Sequence, residues 1–133
     1  MKILTTIPAF IFLAACSPIV VAPDYSGLGN SELGKVLRYS IPAGDIGINY
    51  AVSQLVNMPE VLSGLDRSSS LEKLGFICQS ASEVRCTYDG YAKSEVYYST
   101  EHRKERFRTI VHIDVFPNST SIGVDSKTHR EKY

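Results

Sequence analysis

His112-Ile113-Asp114 sets an imidazole and a carboxylate two residues apart. In an extended chain that spacing puts both on one face, with Arg108 four residues earlier on the same face. Such a trio can orient a general base or hold a metal ion. No nucleophile elbow and no HExxH helix motif accompanies it, so the plainer expectation is a solvated strand face. Residues 101–108 (EHRKERFR) carry four basic side chains, Arg103, Lys104, Arg106 and Arg108, against two acidic ones. Those cations are candidates for binding lipid headgroups, a glycan phosphate or an acidic partner; the plainer reading is a solvated hairpin loop. Tyr88, Tyr91, Tyr97 and Tyr98 lie close by in sequence and suit either a recognition face or a half-buried sheet.

The elements that position these residues come from period and punctuation. After Gly75 the chain changes to strand-like runs at 76–80, 84–88, 95–100 and 107–116, rich in β-branched and aromatic residues and separated by Ala81-Ser82-Glu83, Asp89-Gly90 and the charged stretch. In the last run Phe107, Thr109, Val111, Ile113 and Val115 share one face, which belongs to the core. Upstream, residues 35–41 alternate briefly. Ile48, Val52, Leu55 and Val56 then recur at helical spacing, predicting a helix that stops before Pro59. Ser69-Ser70-Leu71-Glu72 fits a capping box opening a second helix, with Gly75 placed to cap its end. The expected fold is α+β: one or two short helices on a three- to four-stranded antiparallel meander.

The whole chain has 133 residues and equal numbers of acidic and basic groups, fourteen each. That is one small domain without the basic excess expected of a nucleic-acid binder. Met1-Lys2 is followed by thirteen uncharged residues, 3–15, too few to span a bilayer, which takes about twenty. They have the short positive start and apolar stretch of a secretory signal. Their end, Leu13-Ala14-Ala15-Cys16, resembles the lipobox of bacterial lipoproteins. The resemblance implies cleavage before Cys16 and acylation of its thiol and new amine, so that the protein is held on a lipid bilayer through Cys16. Several acyl chains, at about 0.8 kcal/mol per buried methylene, anchor firmly. Ser17, in place of an Asp after the Cys, points by the same resemblance to the outer membrane, with the domain facing the periplasm. Residues 16–34, rich in Pro, Gly, Ser, Asp and Asn, read as a tether able to hold the domain up to about 60 Å from the lipid. The folded domain is then expected over 35–117 and a polar tail over 118–133.

With Cys16 taken by lipid, Cys78 and Cys86 remain, in an oxidising compartment if the chain is exported. Pairing them across a hairpin makes opposed residue numbers sum to 164, setting Ser80 against Val84 and Phe76 against Tyr88 in one cross-strand ladder. The expected bond is structural. A redox pair favours two intervening residues at a helix start, and seven intervene here; zinc would need two further ligands, and no His lies beside these cysteines.

Together these readings predict a non-enzymatic envelope lipoprotein needing no cofactor and no metal. It would bind an envelope protein partner as a binding or assembly-accessory module, and no nucleic acid. In outline the helices followed by a meander resemble the small accessory lipoproteins of the outer-membrane β-barrel assembly machinery; the likeness is architectural, so no site residues carry over. An anchored inhibitor of a lytic enzyme, or a toxin-protection protein, is the alternative.

Overall fold

A computed structural model describes residues 19–20, 22–80, 84–117 and 120–133. Cys16, the segment read as a secretory signal and residues 81–83 lie outside the described residues. The order of elements is β1 (Ile19–Val20), α1 (Glu32–Ser40), α2 (Gly44–Val56), α3 (Pro59–Leu62), α4 (Arg67–Leu74), β2 (Ile77–Ser80), β3 (Val84–Tyr98), β4 (Arg103–Phe116) and β5 (Gly123–Lys132). The fold is α+β, with helices on one face of a five-stranded antiparallel sheet.

Residues 35–41 are helical rather than extended. Ser31 caps α1 by accepting from the Gly34 amide at 3.1 Å, and Leu33 and Leu37, one turn apart, are fully buried. In α2, Ile48, Val52 and Val56 make the same stripe. The fourth helix starts three residues before the sequence signal, because Asp66 rather than Ser69 is the cap; its carboxylate accepts from the Ser69 amide at 3.2 Å. Gly75 ends that helix in the left-handed region, at φ 120°, where a side chain would be strained.

Cys78 and Cys86 are disulfide-bonded and directly opposed, with Ser80 against Val84, which is the register summing to 164. Asp89-Gly90 is not a turn. The strand runs through it for fifteen residues, pairing Asp89 with His112 and Gly90 with Val111. The glycine makes room instead: a Cβ there would fall 2.4 Å from the Tyr88 hydroxyl oxygen. That hydroxyl, its pKa pushed up to about 12 by burial, donates to the Leu28 carbonyl at 2.8 Å.

Two boundaries move. The segment read as a tether joins the domain well before residue 35: Leu28 and Leu33 are core residues, Asp24 bridges Lys93, and β1 pairs with β3. The segment read as a polar tail forms β5, paired with β4 from Phe116↔Gly123 to Phe107↔Lys132. Its inward face is polar but satisfied by α2. Ser126 is buried, its amide donating to Asn49 Oδ1 at 2.9 Å and its hydroxyl to the Asp45 carbonyl at 3.2 Å. Thr128 donates to the Asp45 carboxylate at 2.6 Å. Asn57, at the end of α2, both donates to and accepts from the Ile122 backbone. A buried hydroxyl with its partners in place costs little, whereas an unpaired one would exclude this packing.

Candidate binding face

Alternation along the strands divides the sheet. Cys86, Tyr88 and Ala92 on β3, with Val111, Ile113 and Val115 on β4, face the helices and are buried. Past Ala92 and Val111 this face is only half buried or exposed, Val96 excepted, and there Arg130 lies 4.0 Å over the Phe107 ring. On the opposite face no α-helix packs among the described residues, and a single 3-10 turn at Ser26–Leu28 touches Tyr91 at its edge. Ile77, Tyr91, Ile110 and Phe116 stand on this face, exposed to 69%, 39%, 36% and 44%, among charged neighbours. A shallow depression of about 330 Å³ opens between Gly27, Asp89, Gly90, Tyr91, Arg108 and Ile110.

His112 is at the centre of this face. Asp89, across the ladder, meets Nδ1 at 2.6 Å, and Asp114, two residues along, meets Nε2 at 3.2 Å. Arg85 stands 3.1 Å from the other Asp114 oxygen as an ion pair. The His112–Asp114 contact follows from the spacing in sequence; Asp89 joins only because the strand continues through Asp89-Gly90. The hydrogen bond to Asp89 is the main cause of a raised His112 pKa, opposed by partial burial and helped by the charge of Asp114. The two carboxylates favour the protonated ring over the neutral one, and both ring nitrogens are engaged within the face. Among the described residues no group of three His, Cys, Asp or Glu side chains is arranged to hold a metal ion.

Raising the folded pKa means that this contact contributes fully below the unfolded value of about 6.5 and is lost as pH climbs through the folded value. His112→Gln is therefore expected to lower the melting temperature by about 2 to 4 °C at pH 5.5 and by less at pH 8.5. Equal melting shifts at the two pH values would remove the imidazolium from the account.

The basic stretch is not a loop. The turn occupies 99–102 and the cations lie on β4, so alternation distributes them: Lys104, Arg106 and Arg108 on the open face, Arg103 on the other. Arg108 pairs with Glu131 rather than with His112 or Asp114, Arg106 with Glu95 at 3.1 Å, and Arg103 with Glu101 at 2.9 Å and with Glu105. Lys104 is exposed and makes no ion pair among the described residues. What remains is a firm surface of aromatic and branched side chains amid fixed charges, a composition that suits protein recognition. The chain matches no protein-family model, no curated protein and no solved structure.

Proposed function

We propose that the protein is a bacterial envelope lipoprotein, held on the outer membrane by lipid on Cys16, whose disulfide-stapled domain binds another envelope protein through its open sheet face. The observation that carries the reading is Leu13-Ala14-Ala15-Cys16 ahead of a small domain whose sheet has a mixed apolar and charged face exposed among the described residues. Exposed Ile77, Tyr91, Ile110 and Phe116 among paired charges support a binding role for this face. No described helix is long and apolar enough to cross a membrane, so the acyl chains would supply the attachment.

Intact mass and membrane fractionation of wild type against Cys16→Ala test the anchor. Wild type is expected to carry lipid and float with outer membranes, and the variant to carry none and remain in solution; an unmodified, soluble wild type overturns the reading. Crosslinking of the membrane-bound form then tests the face. Ile110→Asp and Phe116→Asp, both exposed, are expected to weaken capture of the wild-type partner at least about tenfold while leaving the melt intact, as loss of central interface side chains does. An envelope assembly protein among the crosslinks supports the accessory role, and a lytic enzyme supports the inhibitor.

A further inference from the structure

We propose that the end of the β3–β4 hairpin, residues 97–104, rests on the phosphate headgroups of the bilayer that holds Cys16; this builds on the lipidation proposed above. The first argument is placement. Ile19 pairs with Tyr97 and Val20 with Val96, antiparallel, so β1 points from Val20 to Ile19 toward the hairpin end. Cys16 is three residues before Ile19, and three residues span at most about 11 Å in any conformation. The separation of up to about 60 Å that a free tether would permit is thereby lost. A lipid on Cys16 brings this end of the molecule, and not the α3–α4 end, to the membrane.

The second argument is what stands there. Tyr97 opposes Lys104 on one face of the ribbon, and Tyr98 opposes Arg103 on the other, with the Arg103 guanidinium 4.8 Å from the Tyr98 ring centre. Each face so presents one amphipathic ring and one cation, the residue types that favour the headgroup layer. Glu101 is neutralised by Arg103, and Glu105 by Arg103 and Lys132, while Lys104 keeps an uncommitted charge.

Charge distribution is the third argument. Residues 22–24, 93–108 and 130–132 hold seven basic and five acidic side chains, whereas the rest of the described chain holds six basic and eight acidic. The protein is near neutral overall but polar along its length, with the positive end beside the anchor. An anionic surface attracts that end and repels the other within a Debye length of about 10 Å.

The chain contains no tryptophan, so Thr100→Trp and Leu65→Trp each introduce a single fluorophore. Leu65 is fully exposed beside Val84 and Pro117, where β3 begins and β4 ends. The acylated full chain would be placed in phosphatidylethanolamine–phosphatidylglycerol vesicles containing lipids brominated near the headgroup, with lipid on Cys16 verified by mass. Quenching at Thr100→Trp is expected to be several-fold stronger than at Leu65→Trp, and to fall when Lys104→Glu is added. Equal quenching in verified acylated protein overturns the docking and leaves the anchor standing. Blue-shifted but unquenched emission at residue 100 would mean that protein covers the hairpin end, and also overturns it. Absence of lipid from Cys16 overturns docking and anchor together.

Discussion

A chain ending at Pro117 is expected not to fold to a stable domain. Such a truncation removes β5, and with it the sheet surface on which α2 lies. It leaves one side of β4 unpaired from Phe107 to Phe116 and strips Asn49, Asp45 and Asn57 of their partners on Ser126, Thr128 and Ile122. Ile122 leaves the core, and the buried stripe of Ile48, Val52 and Val56 loses cover. Each such side chain contributes about 1.5 to 3 kcal/mol when buried, and the lost hydrogen bonds about 0.5 to 1.5 kcal/mol each. A domain with about 5 to 15 kcal/mol of total stability does not survive several of these losses at once. Tyrosine near-UV dichroism and thermal melting should show no cooperative transition. A truncated chain melting like wild type would mean that β5 is dispensable. Asn57→Leu gives a graded version, removing the reciprocal hydrogen bonds to Ile122 together with the side chain's bonds to Ser53, and is expected to cost about 2 to 3 kcal/mol.

Loss of the disulfide is the second large effect. Cys78 and Cys86 enclose nine residues counted inclusively, for which chain entropy gives about 2.6 kcal/mol. Paired replacement by Ser is expected to lower the melting temperature by about 10 to 20 °C, and dithiothreitol to do the same to wild type. Pairing the substitutions avoids a stray thiol. An unchanged melt after reduction would show that the β2–β3 ladder holds without its staple.

Legibility followed the range of the interactions. The disulfide register was readable because two cysteines eight positions apart in neighbouring strands allow little freedom. So were the stripe of α2, the stop at Gly75 and the two faces of β4, each written in a local period. The start of α4 was misread because Asp66 and Ser69 both suit a cap and only one has the geometry. Asp89-Gly90 carried the composition of a turn, and only the pairing with His112 and Val111 shows the strand running through it.

On the candidate face, the sequence placed His112 beside Asp114 but not beside Asp89, and it grouped four cations that alternation then divides between two faces. By itself, then, the sequence determined the staple, the α+β class, the polarity of β4 and the N-terminal pattern that motivates the anchor, since these depend on residues close along the chain. Only the tertiary structure decided that β5 exists, that residues 22–34 belong to the core region and that Ile19-Val20 pairs with β3 near the hairpin end. The reason is physical. The inward positions of those segments are held by Ser126, Thr128 and the Leu28 carbonyl, whose partners Asn49, Asp45 and Tyr88 lie 60 or more residues away, and no local pattern announces a polar group that is satisfied at such a distance.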